Sequence, residues 1–117
     1  MLVRKGHHAM IEFGDIMVKL VTNRGVTHEL VRHRHCSFAQ ESTRYVKYEG
    51  AMEFIKPVWF GDLSMPPGAT PGEQVWVTAM ERAEQDYKTL LHAGWKAQQA
   101  REILPNSLKT EIVMKAN

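Results

Sequence analysis

The sequence predicts an α+β fold: a small mixed or antiparallel sheet packed against one long and one short helix. Three observations carry this. Residues 107–116 alternate cleanly, with Leu108, Thr110, Ile112, Met114 and Ala116 on one side and Lys109, Glu111, Val113 and Lys115 on the other. A period of two belongs to a half-buried strand. Residues 71–93 repeat apolar side chains at helical spacing behind a capping box. The order of elements (strand, helix, basic stretch, strand, long helix, short helix, strand) is that of a small sheet with helices packed on it.

Taken in order, residues 6–12 show no clear period, and Gly6 marks a turn. Adjacent His7 and His8 point to opposite sides in a strand and about 100° apart in a helix, which makes them a poor shared metal site. Residues 13–22 read as a strand. Ile16, Val18 and Leu20 form its apolar face, and Asp15, Met17, Lys19 and Val21 a mixed one. Asn23-Arg24-Gly25 is turn chemistry, with Asn23 or Thr27 as N-cap of a helix running toward Arg34. Met52 to Pro57 alternates weakly and reads as a short strand that Pro57 ends. Residues 57–70 hold Pro57, Pro66, Pro67, Gly61 and Gly68 and form a connecting loop.

Thr70-Pro71-Gly72-Glu73 opens the long helix, with Pro71 at N1. Trp76, Met80, Ala83, Tyr87 and Leu90/Leu91 make its stripe, and Gly94 supplies the stop. The spacing of these aromatics is that of a buried face rather than a cofactor stack. A shorter helix runs from Trp95 or Lys96 to Leu104. Ala97, Ala100 and Ile103/Leu104 face inward, and Arg101 projects beside them.

Length and composition set bounds on function. With 117 residues there is enough chain for one domain, taken here as 1–117. Hydrophobic residues at 44% and charged residues at 24% fit a globular protein. No apolar run approaches the ~20 residues of a membrane span. A net charge of +2 is small for a nucleic-acid binder. The lone Cys36 excludes an intramolecular disulfide and fits a reducing compartment, with the cytoplasm as the default location.

Charge is unevenly placed. Between Arg24 and Lys47 lie five Lys/Arg, two Asp/Glu and His28, His33 and His35. The densest part is Arg32-His33-Arg34-His35-Cys36-Ser37-Phe38-Ala39-Gln40-Glu41-Ser42-Thr43-Arg44-Tyr45. In structural terms its triplet is a solvated C-terminal helix cap, worth roughly 0.3–1 kcal/mol. In functional terms, Arg32, Arg34 and Arg44 can hold a phosphate or carboxylate bidentately. Ser42 is a neutral donor, and Gln40 can donate to and accept from an imide edge. Phe38 and Tyr45 can pack on rings. Together these groups suit a nucleotide. Cys36 has no resolving partner and reads as structural. Ser42 lacks a triad context, and the histidines lack zinc spacing, so no metal is expected.

These residues also carry a family resemblance. Arg32-His33-Arg34, then seven intervening residues, then Ser42, resembles the signature of the flavin-dependent thymidylate synthases, the thymidylate synthase complementing proteins. Gly6-His7, Glu12, His28-Glu29-Leu30-Val31, Ser42-Thr43-Arg44-Tyr45, Ala100-Arg101-Glu102-Ile103-Leu104-Pro105 and the terminal strand into Asn117 are similar too. Phe13 stands where a histidine is common.

The resemblance implies methylation of dUMP to dTMP, with FAD as cofactor and NADPH and methylenetetrahydrofolate as co-substrates, in a homotetramer. It implies that Ala9, Arg32, His33, Arg34, Gln40 and Asn117 contact the flavin. It assigns dUMP to Glu29, Leu30, Val31, Arg32, Gln40, Glu41, Ser42, Thr43, Arg44 and Arg101. No enzyme nucleophile is needed. The arginine that ionises the uracil ring is expected beyond Asn117, so this chain corresponds to a partial domain and no catalytic residue is assigned in it. The alternatives are a non-catalytic or truncated flavin/nucleotide-binding remnant and a small basic nucleic-acid-binding domain.

Overall fold

The alternating C-terminal segment forms the centre of the sheet. The computed structural model describes residues 3–10, 13–48, 50–62, 66–68 and 70–116. Its regular elements are β1 (Ile16–Asn23), α1 (Arg24–Leu30), β2 (Ser37–Gln40), α2 (Pro71–His92), α3 (Ala97–Ala100) and β3 (Lys109–Ala116). Short 3-10 turns lie at Val3–Lys5, His8–Met10 and Arg101–Ile103. The strand order is β1-β3-β2 with both pairings antiparallel, so the fold is α+β.

β1 pairs with β3 from Ile16↔Ala116 to Asn23↔Lys109, and β2 pairs with β3 from Ser37↔Lys115 to Gln40↔Ile112. Cross-strand partners share a face. Leu20, Ile112 and Gln40 therefore form one row, and Val18, Met114 and Phe38 the next. α1 packs over the first row. At seven residues it is about 10 Å long, too short to reach the others. Ile16 is 69% exposed and Val18 44%. The apolar face expected of the first strand is thus covered only from Leu20 onward.

Two expected boundaries move. Asn23 is the N-cap, its side chain accepting the Val26 N–H at 2.9 Å, but the helix ends at Leu30 rather than near Arg34. Arg32 N–H then bonds Glu29 O at 3.2 Å, and His33 N–H bonds Leu30 O at 3.1 Å. These are the tighter bonds of a terminating turn. The chain is drawn away because Ser37–Gln40 joins the free edge of β3. The strand expected at 52–57 shrinks to one bridge, Phe54↔Leu108. Pro57, with no N–H to offer, limits its extension.

The core sits in the helical half. Met52, Tyr87, Ala100 and Leu108 are buried together, with Tyr48 and Phe54 packed against them. Tyr48 meets the Tyr87 ring edge-on at 6.1 Å. α2 starts where predicted. Glu73 N–H donates to Thr70 Oγ1 at 3.3 Å, and the Glu73 carboxylate accepts the Thr70 N–H at 3.4 Å. Gly94, at φ 91°, ends it.

Candidate functional site

The basic triplet lies on the turn that links α1 to β2, with Arg32, His33 and Arg34 all exposed. The turn is held from the helix side. His33 Nδ1 lies 3.0 Å from Leu30 O, which as an acceptor requires the proton on Nδ1 and leaves Nε2 uncommitted. Arg32 Nη1 is 3.4 Å from Glu29 Oε2, in an exposed pair worth little energetically. The two guanidinium groups therefore project into solvent from an anchored backbone. His35 adopts φ 62° and redirects the chain into β2.

The sheet register brings other predicted residues to this end. Ser37 pairs with Lys115, and Ile16 with Ala116. The start of β2, the entry of β1 and the end of β3 therefore meet beside the basic turn. The segment leading into β1 carries Ala9, on an exposed 3-10 turn. Asn117 and Glu12 lie outside the described residues.

Gln40 to Arg44 occupy the other end of β2. Gln40 Nε2 donates to Thr27 Oγ1 at 2.8 Å and to Thr110 Oγ1 at 3.3 Å. Glu41 N–H continues the ladder to Glu111 O at 3.1 Å. Ser42 Oγ accepts the Arg44 N–H at 3.3 Å, which leaves its own proton to give. Thr43 is buried, while Arg44 is exposed with its guanidinium 5.4 Å above the Tyr45 ring. Nearby, burial and then the Glu41 carboxylate push the Tyr48 phenol up, so it stays protonated at neutral pH. Glu29, Leu30 and Val31 line the end of α1, with only Leu30 half-buried. Arg101 lies in the helical half, its Nε 3.7 Å from Glu102. Cys36 is a half-buried free thiol at the entry to β2.

A cleft of about 1070 Å³ opens at the N-terminal end of α1, between Asn23, Val26, Trp59, Phe60 and Trp76. It contains none of the predicted residues. Charge and donor chemistry, not cavity size, single out the α1–β2 turn. Sequence reasoning missed β2 itself, although half-buried Cys36, Phe38 and Gln40 alternate with exposed Ser37, Ala39 and Glu41. It also missed Thr27 and Thr110 as partners of Gln40. Thr110 stood on the predicted inner face of its strand, but nothing in the sequence joins positions 27, 40 and 110.

Comparison with known proteins places the chain as a whole in a family. The model for "Thymidylate synthase complementing protein" matches residues 1–117. The flavin-dependent thymidylate synthase of Geobacter sulfurreducens is 31% identical over 117 residues, covering 96% of this chain and 47% of that protein. That of Saccharolobus solfataricus is 36% identical over 96 residues, covering 81% and 34%. Among solved structures, the UMP/dUMP methylase PolB from Streptomyces cacaoi bound with 5-Br dUMP superposes with a TM-score of 0.73 at 26% identity. That match covers 99% of this chain and 54% of the other. The 5-Br UMP complex gives 0.75 at 25%, covering 99% and 56%. The chain spans about half the length of the first curated relatives it matches.

Proposed function

The chain belongs to the thymidylate synthase complementing protein family, and on that premise we propose that it carries the flavin- and nucleotide-binding part of a flavin-dependent thymidylate synthase. The reaction is methylation of dUMP to dTMP, with FAD as cofactor, methylenetetrahydrofolate as one-carbon donor and NADPH as reductant. The observation that carries this reading is the anchored basic turn, which presents Arg32, His33 and Arg34 where both outer strands meet the end of β3.

The donor set fits FAD. Two exposed guanidinium groups suit a pyrophosphate, which arginine binds bidentately. Arg32, His33, Arg34, Gln40, the backbone at Ala9 and Asn117 would hold the cofactor. When bound, it supplies reducing equivalents and helps carry the one-carbon unit. The chain's own task is alignment and charge stabilisation. Arg44 and Arg101 anchor the phosphate or pyrimidine of dUMP. Ser42 donates its free hydroxyl proton to the nucleotide while its oxygen fixes the Arg44 backbone. Gln40 reads the ring edge. Glu29, Leu30 and Val31, with Glu41 and Thr43, complete the nucleotide pocket.

The same reading makes the protein a cytoplasmic homotetramer. The uncovered apolar start of β1 supports self-association, and among the described residues no helix is long and apolar enough to cross a membrane.

The test uses the purified chain. Flavin absorbance should survive desalting or appear on adding FAD, and dTMP should form from dUMP with methylenetetrahydrofolate and NADPH. Arg32→Ala should raise the Kd for FAD by about 10-fold or more, the loss of one charge-assisted contact. Arg82→Ala, on an exposed α2 pair with Asp86, should leave it unchanged. Equal effects of the two, or no flavin uptake, would overturn the assignment. Flavin bound without dTMP would favour a non-catalytic binding remnant.

A further inference from the structure

Gln40 is held by two buried hydroxyls from different elements. Thr27 on α1 is 0% exposed and Thr110 on β3 is 1% exposed. A hydroxyl has one proton and two lone pairs. Thr27 Oγ1 gives its proton to the Arg24 carbonyl at 3.0 Å. Toward Gln40, 2.8 Å away, it can therefore only accept. This fixes which end of the Gln40 amide faces inward: an amide oxygen there would set lone pair against lone pair. The second amide proton points to Thr110 Oγ1 at 3.3 Å. Both N–H groups of Nε2 are thus committed, and Oε1 is the amide's remaining polar group.

We propose that Thr27 and Thr110 are positioning residues that lock the Gln40 amide, so that Gln40 meets its ligand only as a hydrogen-bond acceptor and selects a ring imide N–H. The inference rests on the reading above, in which Gln40 faces the bound heterocycles. A free glutamine amide can turn over and pair with either a donor or an acceptor edge. A locked one cannot. Uracil offers N3–H where cytosine offers a bare N3, and the flavin ring also carries an imide N–H. The chemistry is shared by two ligands, so the test needs two arms.

In the first arm, Kd values for dUMP and dCMP are compared in wild type, Thr27→Val, Thr27→Ser and Thr110→Val. In the second, FAD is compared with FAD methylated at N3. Facing an acceptor without a donor costs about 1–3 kcal/mol, or roughly 10- to 100-fold in Kd. Wild type should show a preference of that size in at least one arm. Thr27→Val should reduce it to about threefold or less, Thr110→Val should reduce it partly, and Thr27→Ser, which keeps the hydroxyl, should retain it. The arm that responds identifies the ring against Gln40. A preference unchanged by Thr27→Val in both arms overturns the proposal.

Side-chain NMR tests the lock without ligand. The Gln40 amide protons, assigned by their loss in Gln40→Ala, should exchange with water more slowly than those of the exposed Gln98. Exchange at the same rate overturns the lock, even where Thr27→Val does not fold. If wild type binds neither dUMP nor FAD, the reading of the site fails, and the amide protons still decide the lock.

Discussion

His35 turns the chain from the triplet into β2, and among the described residues it is the non-glycine with a left-handed backbone, φ 62°. That region brings Cβ close to the following carbonyl oxygen, at a cost of roughly 1–2 kcal/mol for most residues. Histidine tolerates it better than β-branched side chains do. His35→Val should therefore lower stability by about 1–2 kcal/mol, seen as a fall of several degrees in Tm. His35→Gly should hold or raise it. The same strain would pass to Arg34 next door, so the valine variant should also bind FAD more weakly. Equal Tm values for the valine and glycine variants would remove the argument from backbone strain.

Among the elements, α2 has the most legible sequence, and its ends show why. Pro71, Glu73 and Gly94 act on neighbours within a few positions, so one stretch of sequence contains the whole cause. Thr70→Ala should cost about 1 kcal/mol, measurable by denaturant unfolding, because Glu73 N–H loses its acceptor. A loss no larger than that of a surface threonine such as Thr78→Ala would show that the cap does not hold the helix.

Further along α2, Lys88 bonds the Glu84 side chain, and that contact first, with the Met52 backbone N–H contributing less, holds the Glu84 carboxyl below the usual carboxylate range. A depressed pKa means the pair stabilises the fold above the unfolded-state value and stops doing so as pH falls through the folded one. Glu84→Gln should melt about 1–3 °C below wild type at neutral pH, from roughly 0.3–0.5 kcal/mol for such a pair. The gap should close on acidification, and a gap constant with pH would exclude the ion pair as its source. β2 and the end of α1 were harder to read for the opposite reason. Whether Ser37–Gln40 extends, and whether α1 continues past Leu30, depends on an edge of β3 more than 70 residues away in sequence. The triplet and Ser42 could be picked out because their chemistry is local. The Thr27–Gln40–Thr110 contact could not, since only the sheet register creates it.

The whole molecule is open. Its radius of gyration is 19.0 Å and it extends 60 × 37 × 20 Å, whereas a compact domain of this length has a radius near 13 Å, by the usual scaling about 2.2·N^0.38. The buried cluster lies in the helical half, while the sheet end bearing the basic turn exposes Phe13, Ile16, Met17 and Val18. Ile16 and Val18 follow one another on a single face of β1, and apolar side chains left uncovered on a sheet face offer a surface for association. Charge alone does not keep copies apart, since the net value is +2. A second copy is the partner expected to cover β1, which would also bring another subunit's surface close to the basic turn. Light scattering at tens of micromolar should therefore give a mass above that of one chain. Val18→Lys puts an ammonium into the exposed row beside Met114 and should weaken association by about tenfold or more, because burying an unpaired charge is costly. Gln98→Lys, on exposed α3 surface, should leave the mass unchanged. If association is weakened at Val18, FAD affinity should fall with it wherever the site is shared between copies. A single-chain mass for wild type, or equal behaviour of the two variants, would mean that β1 is covered by something other than a second copy.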